Sequence, residues 1–479
     1  DVLIRTTPIQ GILPTLPKVR RAMANVATYM IVDDHEITDD LNLSQKWKKQ
    51  VYAFGSPGRA VVRNGLVAYA FFQGWGNDPP AFSPGGANAG FIALAASAIT
   101  ARDAQSVADL DDKLGISGLF DSKVVWHFRW LEPAAKFGLF VLDSRTRRAF
   151  RGETTPPTLI APLAMDLQLP KNDVSKATNP NREVLFVVAP APVLGVPVIE
   201  DIFQVGQAVF DSQAVADQEA WSGDPACLEQ LLARLAPARR VVLLSGDVHF
   251  GHGTALSYWI GAEATPARFA QFTSSALKNS ASDWQEDLVR SLGVSQRILR
   301  IGGGRARLGW NNPSPAPLTF PASNPLLSFA LPVRARFRRT PVLLPAAEWP
   351  AGVAFARQPD FTWRLTLARD VRADKDRPAD RPATPPDIPP GTVTVTKLLE
   401  VANHHSAAMK TRSIARQLVF RHNLGVVTVR PSAAGRLVAQ HTMLSPPTDA
   451  PGSFAEVTVH EVELDPDPGN PEKKPGLQP

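Results

Sequence analysis

Two short apolar runs in this chain end in acidic clusters that each contain a histidine. The run ATYMIV at 27–32 is followed by Asp-Asp-His-Glu, and the run RVVLLS at 240–245 is followed by Gly-Asp-Val-His. Short apolar runs bounded by polar residues are typical of buried β-strands. We therefore expect two buried strands whose carboxyl ends carry acidic and imidazole side chains.

The first cluster concentrates negative charge in a chain that is slightly basic overall. Asp33, Asp34, Glu36, Asp39 and Asp40 lie within eight positions, whereas the whole chain has 51 basic and 45 acidic residues. Carboxylates this close repel one another, and each loses hydration when it is buried. A helix N-terminus, nearby arginines or a metal ion can compensate the charge, and the sequence leaves these three alternatives open.

The order of the other apolar segments predicts an α/β domain. Strands are expected at 124–130 and 137–143, joined by a short connection, and at 183–190 and 267–276. A helix is expected before the strand at 240–247, because leucines recur there at helical spacing after an aspartate cap and a proline (Asp224, Pro225, Leu228, Leu231, Leu232, Leu235). Strand, helix, strand is the pattern of an α/β fold.

The composition changes after about residue 300 and suggests a division of the chain. We expect a core at 1–300, a proline-rich connection at 301–355 and further β-strands at 356–465 that complete or flank the core. Prolines and charges at 372–391 indicate a disordered linker, and the segment 466–479 is expected to be a disordered tail. Three antiparallel strands are expected near the C-terminus, with NLG and SAAG supplying turns (417–430, 436–444, 455–464).

Composition excludes some classes of protein. No run approaches the roughly 18 uncharged apolar residues of a membrane span, so no transmembrane segment is expected. A net charge of +6 over 479 residues gives no specific signal for nucleic acid. Cys227 is the single cysteine, so no internal disulfide can form, which is compatible with a reducing compartment. The chain begins at Asp1, so its targeting and localisation are not indicated.

The two acidic motifs have the donor chemistry of a metal site. Carboxylates and imidazoles suit Mg, Mn, Ca, Zn or Fe ions, and side chains beyond the strand ends of an open α/β sheet line its ligand crevice. Asp247 and His249 can turn toward one site if Gly246 allows a tight bend. Alternatively, the acidic run is a solvated turn before a helix, and His249 is a structural histidine. His252 and Asp39 are interpreted as bystanders.

Longer stretches around these motifs carry a family resemblance. YMIVDDHEITDDLNL at 29–43 and RVVLLSGDVHFGHGTAL at 240–256 resemble the alkaline phosphatase D-like (PhoD-like) branch of the calcineurin-type metallophosphoesterases. Supporting matches run in the same order along the chain (141–152, 217–221, 272–280, 421–429). The resemblance implies a four-layered αββα sandwich with a binuclear metal centre at the strand ends.

The resemblance also implies roles for individual residues. Asp34 and Asp247 correspond to metal ligands, His249 to a ligand of the other ion, and His35 to the histidine that orients the phosphate or protonates the leaving oxygen. Asp33 is a possible further ligand, or a hydrogen-bond partner of a ligand. Two divalent or trivalent ions, from Fe, Mn, Ca or Zn, are implied.

A phosphate group would also need a cation, which the arginines after the strand at 137–143 can supply. Arg145, Arg147 and Arg148 follow that strand, and a guanidinium matches two phosphate oxygens. Arg145 is nearest the strand end and is our candidate for phosphate binding. A solvated surface role is the alternative for any one of the three.

The sequence departs from this family at its start. The family's Gly-Asp-x-x-Tyr motif, whose aspartate bridges both metals, is absent from DVLIRTTPIQ at 1–10. N-terminal truncation is our interpretation, and the chain as given is expected to hydrolyse phosphate mono- or diesters poorly. The alternative is a catalytically inactive structural or binding protein with the same fold. A carbohydrate- or lipid-binding β module at 355–465 is a third hypothesis, and the natural substrate and oligomeric state are not indicated.

Overall fold

A computed structural model describes most of the 479-residue chain. The described residues are 13–38, 41–101, 103–117, 122–153, 155–176, 183–196, 220–275, 305–311, 318–319, 342–345, 354–368, 370–372, 394, 396–397, 418–420, 422–445 and 455–475. Asp39 and Asp40 lie outside these ranges, as do most of the proline-rich segment at 311–325 and of the linker expected at 372–391.

The helices lie mainly in the first half of the chain. They are α1 to α8, with 3-10 turns at Leu13–Thr15, Trp221–Gly223 and Ala236–Ala238 (α1 Leu16–Asn25, α2 Gln45–Val51, α3 Pro57–Tyr69, α4 Phe91–Ala101, α5 Ala104–Leu114, α6 Pro162–Gln168, α7 Lys171–Lys176, α8 Pro225–Leu235). A π-helical turn at Ala70–Gly74 and short helices at Trp75–Asn77 and Pro79–Phe82 continue from α3. In the described part of the chain, no helix is both long and apolar enough to cross a membrane.

Fifteen strands are described, and ten of them form one large mixed sheet. The strands are β1 to β15 (β1 Phe128–Trp130, β2 Phe137–Val141, β3 Val184–Val188, β4 Arg240–Ser245, β5 Gly251–Ile260, β6 Ala267–Thr273, β7 Arg305–Trp310, β8 Leu318–Thr319, β9 Val342–Pro345, β10 Ala354–Phe355, β11 Phe361–Leu367, β12 Leu418–Val419, β13 Leu424–Pro431, β14 Leu437–Ser445, β15 Ala455–Glu463). The order in the large sheet is β1-β2-β3-β4-β6-β5-β11-β7-β9, and β12 pairs with β5.

Four neighbouring strands of the large sheet run parallel. β2 pairs with β3, β3 with β4, and β4 with β6, all in parallel, whereas the flanking pairs β1–β2 and β5–β6 are antiparallel. The carboxyl ends of the parallel strands therefore meet at one edge of the sheet. Asp143, Gly246 and Ser274 all follow strands at this edge, which is where α/β folds place their ligand crevice.

Alternating residues of the parallel strands pack against two different layers. Leu185, Val187, Val241, Leu243 and Phe269 belong to a buried cluster that includes the apolar face of α8. Their sequence neighbours, including Val184, Val242 and Ala270, pack instead with Ala439 and Val462 of the C-terminal strands. A strand presents successive side chains to opposite faces, so these runs are apolar throughout because both faces are covered.

The α/β fold class predicted from the sequence is confirmed, whereas the division of the chain into domains stays a prediction. The fold is α/β, with a large mixed sheet and a separate antiparallel sheet in the order β13-β14-β15. The described residues form one layer of helices and two layers of sheet. They do not establish the expected four-layered αββα sandwich. The large sheet also extends past residue 300, because β7, β9 and β11 belong to it. Strands on both sides of residue 300 therefore belong to one sheet, and the domain boundaries expected there stay a prediction.

The helix preceding β4 forms as its sequence predicts. Asp224 caps α8, because its Oδ1 accepts hydrogen bonds from the backbone N–H groups of Ala226 and Cys227 over 3.2 and 3.4 Å. Pro225 occupies the first helical position, where its missing N–H is not needed. The four leucines that predicted the helix are all buried.

The strand expected at 27–32 does not form. Residues 27–33 have no regular secondary structure. The backbone of Met30 instead bonds to helix side chains: its N–H donates to Asn77 Oδ1 over 3.0 Å, and its carbonyl accepts from Tyr69 Oη over 3.2 Å. These bonds take the place of strand pairing at Met30, and Tyr29 is 63 % exposed.

Two expectations for the C-terminal region are wrong in detail. Leu424 and Gly425 of the NLG segment lie inside β13 instead of in a turn, whereas the SAAG turn forms with Gly435 at φ 74°. The tail was expected to be disordered from 466, but residues 466–475 have a defined course. Glu472 accepts hydrogen bonds from Ser257 and Arg268 of the large sheet, over 2.5 Å each, and these contacts hold the described residues around Glu472 against the sheet.

Candidate metal centre

The two acidic motifs meet in space although more than 200 residues separate them. One ligand atom from each of Asp33, Asp34, His35 and Asp247 lies within 4.8 Å of all the others. Asp34 is fully buried, and His35 and Asp33 have partly exposed side chains, at 34 and 21 %. This group could hold a metal ion.

Asp247 reaches the group through a strained turn after β4. The N–H of Val248 donates to the Gly246 carbonyl over 3.0 Å, and the N–H of His249 donates to the Asp247 carbonyl over 2.8 Å. Asp247 and His249 have φ of 73° and 61°. A three-residue turn centred on a positive φ is rare and strained, and each such residue costs about 1–3 kcal/mol.

Gly246 does not make this bend, contrary to expectation. Its φ is not positive, and a Cβ at Gly246 would meet its nearest neighbour, the Ser274 carbonyl, at an ordinary 3.7 Å. The left-handed conformations of Asp247 and His249 make the turn instead. Strained backbone of this kind clusters at functional sites, so the observed outlier supports the interpretation of a site here.

His35 connects both halves of the group. Its Nδ1 lies 3.0 Å from Asp34 Oδ1 and 3.4 Å from Asp247 Oδ1. Its ring also contacts the ring of His249, with centroids 5.4 Å apart and planes at 63°. His249 therefore lies beside the group but is not one of the four residues whose ligand atoms converge, so its role as a metal ligand stays a prediction.

Arg145 places a guanidinium among the carboxylates. Its Nη2 lies 2.7 Å from Asp33 Oδ1, 3.1 Å from Asp34 Oδ1 and 2.7 Å from Asp247 Oδ2. The side chain is fully buried. Arg145 is thus the counter-ion of the cluster in this structure, and the phosphate-binding role expected from the sequence stays a prediction.

The tight arrangement shifts the pKa of each group. Burial raises the pKa of Asp33 to about 6, against the charge of Arg145. Burial alone would also raise the pKa of Asp34, but the hydrogen bond with His35 and the charge of Arg145 outweigh it and hold the pKa below its usual range. The hydrogen bond with Asp34 raises the pKa of His35 to about 9. At neutral pH His35 is therefore protonated.

Sequence reasoning missed the residues that support the turn. Ser275, which follows β6, accepts a hydrogen bond from the His249 N–H on its Oγ over 2.8 Å. Asn423, just before β13, donates from Nδ2 to the Ser275 carbonyl over 3.1 Å. Both residues lie in segments that resemble the family, FTSSALKNS and RHNLGVVTV. The sequence therefore marks these segments, but it does not indicate what the two residues do.

The other predicted residues lie apart from the group. Arg148 is buried and donates to the carbonyls of Ser144 and Leu41 over 2.8 and 3.0 Å, and Arg147 donates to the Val124 carbonyl over 3.2 Å. Both therefore bind backbone oxygens in this structure. His252 is buried in β5 and is not among the residues that converge.

Comparisons with known proteins give little further information. No protein-family model matches the sequence, and no curated protein matches it. One solved structure, described as "Structure of PhoD", is similar with a TM-score of 0.22 and 14 % identity, over 32 % of this chain and 29 % of that chain. The match thus spans less than a third of that protein, and at this TM-score it supports no conclusion about fold or function.

Proposed function

We propose that this chain is a metal-dependent hydrolase of phosphate mono- or diesters. The observation that carries the proposal is the convergence of Asp33, Asp34 and His35 with Asp247 within 4.8 Å. The two segments are distant in sequence, and one of them reaches the site through a strained turn. The resemblance of both motifs to the calcineurin-type, PhoD-like metallophosphoesterases supports phosphate esters as the substrate class.

The residues present fit a hard metal ion. Three carboxylates face one guanidinium and one protonated imidazole, so the site keeps a net negative charge even with Arg145 and His35 in place. Oxygen and imidazole donors suit Mn, Fe, Ca or Zn ions. When bound, such ions polarise phosphoryl oxygens and lower the pKa of water. The proposed ligands are Asp34, Asp247 and His249, with Asp33 as a further ligand or a partner of one, and two ions are proposed.

His35 is the proposed proton donor to the leaving oxygen. In the metal-free site the hydrogen bond with Asp34 raises the pKa of His35 to about 9, and a side chain that is 34 % exposed is accessible to a substrate. Asp34 orients the ring, because it binds Nδ1. A positioned acid of this kind typically contributes a factor of about 10² to 10⁴ to the rate.

Arg145 holds the carboxylates together in this scheme. Its phosphate-binding role would require the guanidinium to exchange carboxylate oxygens for phosphate oxygens, which present the same fork geometry. The ion pairs with Asp33 and Asp247 also favour a second candidate function. If the arginine alone neutralises the cluster, the chain is a catalytically inactive structural or binding protein with the same fold.

The metal-binding step separates these candidates. The full chain is stripped with a chelator, titrated calorimetrically with Mn²⁺, Ca²⁺, Zn²⁺ and Fe²⁺, and assayed with p-nitrophenyl phosphate and bis(p-nitrophenyl) phosphate. We expect binding that Asp247→Asn weakens at least tenfold, and turnover that is weak but depends on the metal. Asp370→Asn is the matched control, because Asp370 is a buried carboxylate paired with Arg372 outside the cluster. Binding without turnover would support the inactive protein, and absence of binding would reject the metal site.

A further inference from the structure

The strained turn that carries Asp247 and His249 contacts Ser275, which follows β6 of the large sheet. Ser275 accepts the hydrogen bond of the His249 N–H, and this N–H also points to the Asp247 carbonyl within the turn. Ser275 is buried, so this hydroxyl is shielded from competition with water. A conformation that costs free energy persists only if its surroundings determine it, and the hydroxyl of Ser275 is one polar contact that links the turn to the end of β6.

Two residues of the C-terminal region, one just before β13 and one in β14, fix the segment to which Ser275 belongs. Asn423 donates to the Ser275 carbonyl over 3.1 Å. His441 of β14 lies with its Nε2 2.8 Å from the Oγ of the preceding residue, Ser274. The ring of His441 also packs against Phe272 of β6, with centroids 5.0 Å apart. The dipeptide after β6 is thus held from the side of the sheet β13–β15.

Gly425 makes this contact sterically possible. A Cβ at Gly425 would lie 2.0 Å from Ser274 Oγ and 2.5 Å from His441 Nε2. Both distances are far below any real carbon contact, so a side chain here would displace one of the two bonded groups. Gly425 is therefore required for close approach of β13, although it lies inside a strand where glycine is otherwise unfavourable.

We propose that His441 and Ser275 are positioning residues for the Asp247–His249 turn, and that the C-terminal sheet is in this way part of the metal centre. The connection runs from His441 to Ser274, along the chain to Ser275, and from its hydroxyl to the His249 N–H. The relevance of the turn to metal binding rests on the proposed function. The contacts that brace the turn do not depend on the proposed function, and their effect can be measured in metal-free protein.

The first experiment measures hydrogen exchange of the peptide segment covering 246–250 in the metal-free full chain. Ser275→Ala removes the acceptor of the His249 N–H, and we expect exchange in this segment to accelerate about tenfold, the effect of one lost hydrogen bond. Ser275→Thr keeps a hydroxyl and should restore most of the protection. Unchanged exchange in Ser275→Ala, in a variant that is otherwise folded, would overturn the proposal.

The second experiment tests His441 with a matched control on the neighbouring strand. His460 lies directly opposite His441 in β15 and is equally buried, but neither of its ring nitrogens has a hydrogen-bond partner among the described residues. We expect His441→Phe to accelerate exchange at 246–250 and His460→Phe to leave it unchanged. His441→Gln offers an amide nitrogen to Ser274 and should partly rescue the protection. If the two phenylalanine variants changed the exchange at 246–250 equally, His441 would act only through packing, and the proposal would be contradicted.

Metal titration then connects the bracing with the site. We expect Mn²⁺ affinity to fall about tenfold or more in Ser275→Ala and His441→Phe and to stay at the wild-type value in His460→Phe. If exchange accelerates but the affinity does not change, the turn does not carry metal ligands and the connection to the metal centre is refuted. If no variant and no wild-type protein binds metal, the proposed function fails, while the exchange result still decides the bracing.

Discussion

Arg145 donates from Nη2 to Asp247 Oδ2 over 2.7 Å, although the two residues are 102 positions apart in the sequence. The same guanidinium binds Asp33 and lies beside Asp34. It therefore joins the loop after β2, the acidic segment at 33–36 and the turn after β4 at one point. Of the three ways to compensate the acidic cluster, the structure shows an arginine, and the residual negative charge leaves room for a cation.

Replacement of Arg145 should show how strongly its charge stabilises the cluster of carboxylates. In Arg145→Met a side chain of similar length leaves three carboxylates without their buried counter-ion, and we expect a loss of about 3–5 kcal/mol in the free energy of unfolding without metal. Because the vacated centre is more negative, Mn²⁺ or Ca²⁺ should raise the melting temperature of Arg145→Met more than that of the wild type. Thermal unfolding with and without each ion measures both effects.

Arg148→Met is the control for loss of a buried guanidinium. Arg148 is also buried, but it donates hydrogen bonds to the backbone carbonyls of Ser144 and Leu41. We expect this variant to be destabilised without any enhanced response to metal. A metal response of equal size in both variants would show that Arg145 does not shield a cation site.

His35→Ala should separate proton donation from metal binding. If His35 protonates the leaving oxygen, its loss lowers the rate by about 10²- to 10⁴-fold for esters with poor leaving groups. Esters with good leaving groups need less protonation, so the rate of their hydrolysis should fall less. The metal content of the variant should stay nearly intact. Turnover with a series of leaving groups, together with metal analysis of the variant, checks this. Loss of the metals in His35→Ala would instead make His35 a ligand.

The parallel strands and α8 could be predicted because their sequence signals are local and agree with their surroundings. Leu231 and Leu235 mark one face of α8, and the cap at Asp224 fixes its start. Apolar runs such as 184–188 form strands because both faces are covered in the finished sheet. Asp247 lies at the site because it follows the end of β4, as the rule for α/β sheets predicts. Asp34 also lies there, but it follows a segment that forms no strand, so this rule does not explain its position.

The rest depended on contacts that no local pattern encodes. The run at 27–32 has strand composition, but the side chains of Asn77 and Tyr69 take its backbone hydrogen bonds. The bend expected at Gly246 is made by Asp247 and His249, because tertiary contacts impose conformations that the residue types disfavour. Arg145 follows a strand end as a phosphate ligand would, yet its partners are carboxylates supplied by distant segments.

A buried carboxyl in the core should make stability decrease as the pH rises. Burial raises the pKa of Glu229 to about 8, from 4.5, while its Oε1 accepts from Trp363 Nε1 over 2.6 Å. The folded state then binds a proton that the unfolded state has lost, so Glu229 stabilises fully below pH 4.5 and loses this contribution as pH rises through 8. The slope is at most about 1.4 kcal/mol per pH unit.

Glu229→Gln isolates this contribution, because the amide keeps an acceptor for Trp363 and does not titrate. Urea unfolding at pH 5, 7 and 9 should show that the variant gains stability relative to the wild type as the pH rises. Glu263→Gln, which removes a carboxylate from an exposed pair with Arg239, controls for the loss of one charge. A constant difference between Glu229→Gln and the wild type at all three pH values would show that Glu229 is ionised in the core.

Three buried histidines should act in the opposite direction and destabilise the protein in acid. Burial lowers the pKa of His252 and His441 to about 3 and that of His460 to about 4. These groups are neutral in the folded state, whereas the unfolded chain binds protons below about pH 6.5. Their contribution is therefore complete above pH 6.5 and is lost as the pH falls toward 4, at up to about 1.4 kcal/mol per pH unit for each histidine.

The variant His460→Phe tests this with the least disturbance, because neither ring nitrogen of His460 has a hydrogen-bond partner among the described residues. Asp370 and Arg372 act on its charge with opposite signs, so burial dominates and a ring without nitrogen should be tolerated. We expect the wild type to lose more stability than His460→Phe between pH 7 and pH 5, as measured by urea midpoints. If the two proteins lost stability equally between these pH values, His460 would be protonated in the folded protein, with Asp370 as its counter-ion. The interface between the two sheets would then not require a neutral histidine.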